Sequence, residues 1–269
     1  MNMRAFLTAV TTLEQRIAAE LHMEPLALVP LERIQAQWEQ GLPLLPLVPP
    51  HVPALDFLAR LTEYRVLLAQ HRPDLAPALA QQAQALADAP QATQAILVAA
   101  LLHGDNGSVY DVAEDLGIEA GQLYFLGELA LRPYLSTYAE RLETVVDFAT
   151  CHGGRCPVCG RRPIMGRIDA ENVKHLHCPA CETSWRFGRV ECPTCGCREG
   201  QKLGFFTVEG DDERRVEHCA ECGDYYKVIN QRVRARKLNF LIEDAETVHL
   251  DQLAGDEGYV RGGRIPILQ

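Results

Sequence analysis

Residues 156–160 read Cys-Pro-Val-Cys-Gly, and the same pattern returns at residues 192–196 as Cys-Pro-Thr-Cys-Gly. Each copy is followed by a second Cys-x-x-Cys pair, within Leu-His-Cys-Pro-Ala-Cys at residues 176–181 and Glu-His-Cys-Ala-Glu-Cys at residues 217–222. This internal repeat indicates two small structural units of the same kind. Two residues between cysteines let a tight turn direct both sulfur atoms at one point, and two such turns complete a tetrahedral shell of four sulfurs.

The repeat also predicts which cysteines share a metal ion, because only pairing within a copy preserves the repeated unit. The two pairs of each copy are separated by 18 and 23 residues, near the spacing that is usual for zinc ribbons. We therefore predict two metal ions per chain, either iron or zinc, since four thiolates suit both. The predicted ligands are Cys156, Cys159, Cys178 and Cys181 at site 1, and Cys192, Cys195, Cys219 and Cys222 at site 2.

Four other residues near these motifs need an interpretation. Cys151 and Cys197 lie outside the repeat, and we expect neither to bind a metal ion. His177 and His218 each directly precede a cysteine of a second pair, and two readings stay open for them. Each ring either forms a hydrogen bond to a thiolate or faces solvent from a strand.

Charge and cysteine content both change near residue 150. Residues 1–150 carry 8 Lys and Arg against 18 Asp and Glu, whereas residues 151–269 carry 18 of each and all ten cysteines. The expected fold class is α+β, with an N-terminal all-α helical domain followed by two tandem rubredoxin-like or zinc-ribbon metal modules with short β-strands. The predicted domains are a helical bundle at 1–150, a first four-cysteine module at 151–191, a second at 192–235, and a tail of short helices and extended chain at 236–269.

Apolar residues at helical spacing predict the helices of the first part. Five prolines in residues 42–53 predict an extended strap, because proline removes backbone donors and restricts φ. Short β-favouring runs surround the cysteine pairs of the second part. The predicted helices are Met3–Leu21, Leu31–Gln40, Ala54–Ala69, Leu75–Ala87, Gln91–Leu102, Val109–Leu116 and Ile118–Ala149, the last broken at Pro133.

Three classes of function fit a chain with two closed four-sulfur sites. Such sites leave no position for substrate or water, and the sequence has no Gly-rich phosphate loop, so we predict that the protein is not an enzyme. The first two classes are a rubredoxin-type electron carrier and a nucleic-acid-binding zinc ribbon. The net charge of −10 disfavours nucleic acid, and a rubredoxin needs no attached helical domain. The third class is an assembly protein whose metal ions are structural.

The cysteine segments resemble those of the FdhE family of formate dehydrogenase accessory proteins. The resemblance is sharp over residues 150–269 and looser over residues 35–149, and all eight predicted ligands match the family's motif. The tail around Leu250-Asp-Gln-Leu-Ala also looks like the C-terminal end of that family. The matching motifs are Cys156-Pro-Val-Cys-Gly, Leu176-His-Cys-Pro-Ala-Cys, Arg189-Val-Glu-Cys-Pro-Thr-Cys-Gly and Cys219-Ala-Glu-Cys-Gly-Asp-Tyr-Tyr-Lys.

This resemblance implies a role in the maturation of respiratory formate dehydrogenase. It implies that the protein binds the catalytic subunit of that enzyme in the cytoplasm before export, and that the cysteine motifs bind iron as in rubredoxin. The sequence itself shows no signal peptide and no apolar run long enough to span a membrane. We accordingly expect no nucleic-acid partner and no membrane insertion, and the sequence contains no signal for a particular oligomeric state.

Overall fold

The computed structural model of the protein describes residues 2–21, 30–148, 151 and 153–262. The chain divides into two compact units, which do not coincide with a simple cut near residue 150. Unit 1 comprises Met1–Ala27 and Val48–Glu140, and unit 2 comprises Leu28–Leu47 and Arg141–Gln269. The domain boundaries drawn from sequence pattern stay predictions, and residues 263–269, which we expect to be extended, lie outside the described residues.

The first half of the chain is helical, as the sequence predicts. Asn2 caps the first helix by accepting from the amide of Ala5, and Asp105 accepts from the amide of Ser108 in the same way. The fifth helix ends at Gly104, which takes the left-handed conformation. The helices are α1 (Met3–Glu20), α2 (Leu31–Glu39), α3 (Ala54–His71), α4 (Ala76–Asp88), α5 (Gln91–His103), α6 (Asn106–Asp115) and α7 (Ala120–Glu143), with a 3-10 turn at Pro73–Leu75 before α4.

The predicted break at Pro133 is wrong, because α7 continues through this residue. Proline removes one backbone donor and disfavours the helix interior. On either side of it, however, Leu131, Tyr134 and Leu135 are all buried. The Tyr134 hydroxyl also donates to Asp56 on α3. Packing of these side chains therefore outweighs the local preference to end the helix.

The second part of the chain forms one sheet that contains both copies of the repeat. Its strand order is β3-β2-β1-β6-β5-β4, with β7 paired to β6. The copies meet where β1 and β6 pair in parallel, from Met165 opposite Lys227 to Ile168 opposite Asn230. The predicted α+β fold class is confirmed. The strands are β1 (Met165–Ile168), β2 (Lys174–His177), β3 (Ser184–Phe187), β4 (Leu203–Phe206), β5 (Arg214–Cys219), β6 (Asp224–Asn230) and β7 (Val260–Arg261).

Two short helices, α8 (Phe240–Glu246) and α9 (Val248–Asp256), follow the sheet and pack against it. Leu250 and Ala254 of α9 form a buried cluster with Val216 of β5 and Tyr225 of β6. Helix α9 is therefore an integral part of the sheet's core.

The proline-rich strap of residues 42–53 contains no helix or strand. Within unit 2, the amides of Leu44 and Leu45 donate to the carbonyls of Pro157 and Val158, at 3.0 and 2.8 Å. Both leucine side chains are fully buried. The part of the strap that belongs to unit 2 thus covers the first cysteine turn.

Helix length and composition also bear on membranes. Among the helices of the described residues, no single one is long and apolar enough to cross a bilayer. The adjoining segments Pro73–Asp88 and Gln91–His103 reach the length and apolar composition of a membrane span only when they are taken together, and they are bent by 116° relative to each other.

Candidate metal centres

Each copy of the repeat opens with the same hydrogen-bonded turn. The amide of the first cysteine donates to a carbonyl five residues later, from Cys156 to Arg161 and from Cys192 to Cys197, both at 2.9 Å. The amide of Gly160 donates back to the carbonyl of Cys156 at 2.8 Å. All these bonds close within six residues, so local sequence is sufficient to set the turn.

All four Cys-x-x-Cys turns close with a positive φ at the residue after the second cysteine. Gly160, Gly196 and Gly223 have φ of 75°, 72° and 71°, as the glycine pattern predicts. At the remaining turn, Glu182 occupies the equivalent position with φ of 59°. A side chain is disfavoured in this region of backbone conformation. The geometry of the turn is therefore kept even where glycine is missing.

The eight cysteines come together in the two predicted groups of four. Within each group all sulfur atoms lie within 4.8 Å of one another. At site 2 two pairs of sulfurs are each 3.7 Å apart, and at site 1 the corresponding distances are 3.3 and 3.4 Å. A tetrahedral ion with metal–sulfur bonds of about 2.3 Å requires sulfurs about 3.8 Å apart. Each group could hold one metal ion, with a slight expansion at site 1.

The two sites differ in their exposure to solvent. At site 1, Cys156, Cys178 and Cys181 are buried, and the nearby Trp185 is fully buried with its ring N–H bonded to the carbonyl of Gly153 at 2.8 Å. At site 2, Cys195 is exposed. A cavity of about 290 Å³ lies beside two other cysteines of this site, Cys192 and Cys219. The same motif therefore produces one enclosed and one accessible site.

Hydrogen bonds from neighbouring thiols lower the pKa of Cys159 well below its ordinary value, whereas burial shifts the pKa of other thiols in the opposite direction. Burial raises the pKa of Cys156 and Cys181 well above the ordinary value, and it raises the pKa of Cys222 to about 11. Closely packed buried thiols resist ionisation because each charge is poorly solvated and repels the next. A bound divalent cation supplies the opposite charge that allows four thiolates to coexist. The donor set thus fits iron or zinc, and its role as ligands stays a prediction.

Two family domains match most of the cysteine-containing half of the chain. Residues 155–189 match "FdhE, central domain", and residues 190–268 match "FdhE, C-terminal domain". The chain thus resembles the FdhE family over residues 155–268. The resemblance stated from the cysteine motifs is confirmed, and both four-cysteine groups fall within the FdhE domains.

Curated FdhE relatives agree with this resemblance. The protein is 31% identical over 149 residues to "Protein FdhE homolog" of Aquifex aeolicus (strain VF5), covering 54% of this chain and 52% of the relative. It is 33% identical over 119 residues to "Protein FdhE" of Escherichia coli O1:K1 / APEC, covering 42% of this chain and 37% of the relative. The aligned part thus spans about half or less of the length of these curated relatives.

A solved FdhE structure has the same fold. The crystal structure of the FdhE protein from Pseudomonas aeruginosa superposes with a TM-score of 0.66 and 24% sequence identity. The match covers 95% of this chain and 85% of the other. The fold similarity therefore includes the helical part, which the two FdhE domains do not reach.

Neither histidine of the FdhE motif faces solvent freely. His177 is buried, its ring lies 3.1 Å from the Ser184 hydroxyl, and it stacks on Phe240 with ring centres 4.0 Å apart. His218 is half-buried and packs against Tyr259 at 4.3 Å, and burial lowers its pKa. Cys151 and Cys197 join neither four-sulfur group within the described residues.

A buried ionic cluster beside site 2 was not apparent in the sequence. Lys174 on β2 is 1% exposed and donates to Glu217 and Tyr226, at 2.8 and 2.9 Å. Burial lowers the pKa of Lys174, with Glu217 opposing the shift. A lysine inside a short β-favouring run carries no signal that it will be buried. Only the pairing of strands from both copies brings its partner from β5.

Asp224 connects site 2 of this FdhE fold to the C-terminal segment. Its carboxylate accepts from the Thr194 hydroxyl, inside the third cysteine turn, and from the amide of Gly262 at 2.6 Å. The neighbouring Lys227 is fully buried and pairs with Asp244 and Asp251, at 2.8 and 2.7 Å. The conformation of site 2 is thus coupled to the packing of α8, α9 and β7.

Proposed function

We propose that this protein is an accessory protein for the formation of formate dehydrogenase, and that it acts by binding the catalytic subunit of that enzyme in the cytoplasm. The observation that supports this most directly is the match of residues 155–268 to the two FdhE domains. The proposal assigns the protein no catalytic activity of its own. Closed four-sulfur coordination supports that assignment, because it offers no open position to a substrate.

The proposal includes two bound metal ions, iron in the first place and zinc as the alternative. Their ligands are the four sulfurs of site 1 and the four sulfurs of site 2. Bound metal stabilises the four turns from which the strands extend, since thiolate coordination couples metal binding to folding. With these turns held by metal, the strands that extend from them present a surface of fixed shape to the enzyme subunit.

Metal analysis of two matched variants tests the ligand assignment. The wild-type protein, purified without oxygen, should contain two metal ions per chain by mass spectrometry. Cys178→Ser removes a buried sulfur of site 1 and should leave one. Cys197→Ser changes a half-buried cysteine outside both groups and should leave two. Two ions retained in Cys178→Ser would show that the assignment is wrong.

Co-purification tests the partner. A tagged full-length chain should retain the catalytic subunit of formate dehydrogenase when the two are produced together, and an unrelated enzyme subunit serves as the control. Retention should fall in Cys178→Ser and persist in Cys197→Ser. Absence of the subunit from the wild-type eluate under both aerobic and anaerobic growth would overturn the proposed partner.

Electron transfer is the second candidate function, and the exposure of Cys195 favours it. An exposed sulfur ligand shortens the path from an iron ion to a docked redox partner. Reversible bleaching of a visible sulfur-to-iron band, lost in Cys195→Ser and kept in Cys159→Ser, would support this role for site 2. Zinc at both sites in protein isolated from its native host would exclude it.

A further inference from the structure

Unit 1 contains a cavity between α3, α4 and α5 that the metal sites do not involve. Its volume is about 270 Å³. A cavity of about 150 Å³ already accommodates a benzene molecule, so this one is large enough for a small organic ligand. It is lined by Leu55, Leu58, Ala59, Thr62, Arg65, Ala83, Leu86, Ala87 and Gln94.

The lining is apolar apart from three residues, and one of these carries a charge. Arg65 of α3 is only 4% exposed. Its Nε donates to Gln82 of α4 at 2.9 Å, and its Nη1 has a long contact of 3.4 Å with the Thr62 hydroxyl. Its Nη2 is buried and has no hydrogen-bond partner among the described residues. The amide nitrogen of Gln82 is likewise buried without a partner.

A buried guanidinium without an anion is unfavourable, because the charge loses its hydration and gains nothing comparable. Burial alone lowers the pKa of Arg65 to about 10, which still leaves the side chain positively charged at pH 7. Buried polar groups in folded proteins nearly always have partners, and an exception points to a bound water, ion or ligand.

Arg132 of the same unit shows what a satisfied buried arginine looks like in this chain. It is 6% exposed, comparable to Arg65, and pairs with Glu14 at 2.5 Å. Arg60, one turn before Arg65 on α3, pairs with Glu20 and Glu63. Arg65 therefore differs from both, because the described residues offer it no carboxylate partner, and it lines the cavity.

We propose that this cavity binds a carboxylate carried on a short aliphatic stem, with the carboxylate paired to Arg65 and the stem packed against Leu58 and Leu86. Planar guanidinium groups match carboxylates in geometry and bind them with charge-assisted hydrogen bonds. Leu55 is 68% exposed and lines the cavity, so it lies at the mouth where the stem enters or leaves. A few polar groups in a mostly apolar cavity are typical of small-molecule sites.

Two sources share this chemistry, a free short-chain carboxylic acid and the C-terminal residue of a protein. Hexanoate represents the first source, and N-acetyl-leucine represents the second. Hexanamide has the stem of hexanoate without its charge, and acetate has the charge without the stem. Isothermal titration of the full-length protein with each probe should show binding of hexanoate or N-acetyl-leucine, and weaker binding of the other two. Whichever of hexanoate and N-acetyl-leucine binds with the higher affinity identifies the source.

Variants then connect binding to the cavity. Arg65→Gln should lower the affinity for the carboxylate roughly ten- to hundredfold, the usual effect of losing a hydrogen bond to a charged group. Arg60→Gln removes the same charge from the same helix outside the cavity and should leave affinity unchanged. Ala83→Leu fills the cavity from α4, leaves Arg65 in place, and should abolish binding.

Three results would overturn the proposal. The first is no binding of either carboxylate by the wild-type protein. The second is equal affinity for hexanoate and hexanamide, which would show that the charge of Arg65 has no part in recognition. The third is unchanged affinity in Ala83→Leu, which keeps the test decisive if Arg65→Gln fails to fold. These experiments do not depend on metal content or on formate dehydrogenase.

Discussion

Two glycines at equivalent positions of the repeat should respond differently to the same substitution. Gly160 follows the second cysteine of site 1, and Gly196 follows the corresponding cysteine of site 2. Both have positive φ, 75° and 72°. A Cβ added at Gly160 would lie 3.0 Å from Cγ of Pro43 in the strap, whereas a Cβ at Gly196 would meet nothing within 4 Å. Gly160→Ala and Gly196→Ala therefore form a matched pair.

The expected magnitudes follow from these contacts. A side chain in the left-handed region costs about 1–2 kcal/mol at either position, and this part cancels in the comparison. Overpacking adds about 1 kcal/mol at Gly160, at the low end of the usual range, because Pro43 can move slightly. Its movement is limited, since the next two amides of the strap are bonded to Pro157 and Val158. We therefore expect Gly160→Ala to favour opening of the strap by about 1 kcal/mol.

Hydrogen exchange of the Leu44 and Leu45 amides measures this opening directly in the metal-loaded protein. A difference of about 1 kcal/mol corresponds to exchange about fivefold faster in Gly160→Ala than in Gly196→Ala. Metal content is measured in parallel, so that loss of the ion is not mistaken for opening of the strap. Equal exchange rates in the two variants, with both metal ions retained, would refute the assignment of the strap as the cover of the first cysteine turn.

Three further predictions concern the sites and the tail. Asp251→Asn removes one of the two carboxylates paired with buried Lys227 and should lower the free energy of unfolding in urea by about 1.5–3 kcal/mol. Asp256→Asn, an exposed control on the same helix, should change this free energy little. Equal effects of the two substitutions would count against the ion pair. Burial raises the thiol pKa of Cys156 and Cys222, so these two thiols are protonated at pH 7 in the metal-free protein. Metal binding should therefore release protons and strengthen as pH rises, and calorimetric heats independent of the buffer's ionisation enthalpy would contradict this. A chelator should remove one ion quickly from site 2, where Cys195 is exposed, and the other slowly, whereas a single kinetic phase would show that the sites are equally accessible.

Local sequence was sufficient for the cysteine turns and for most helices and strands. The turns close through bonds between residues no more than five apart, so spacing and a following glycine specify them. The repeat then predicted the two four-sulfur groups, because a repeated unit must satisfy its own cysteines. The spacing of apolar residues located the helices for the same reason, because an amphipathic pattern is contained within a short stretch of sequence. Pro133 is the exception, because buried neighbours kept the helix continuous there.

Tertiary structure alone decided the features that depend on residues far apart in the chain. The parallel pairing of β1 with β6 joins the two copies, and it gives buried Lys174 a partner 43 positions away at Glu217. Leu44 and Leu45 of the strap bond to the first cysteine turn of site 1, whereas Cys195 of site 2 is exposed, although both sites share one motif. That buried Arg65 has Gln82 and no described carboxylate as its partner is likewise visible only once α3 and α4 are packed together. Sequence thus determined which atoms can bind metal, and packing determined which of them solvent and ligands can reach.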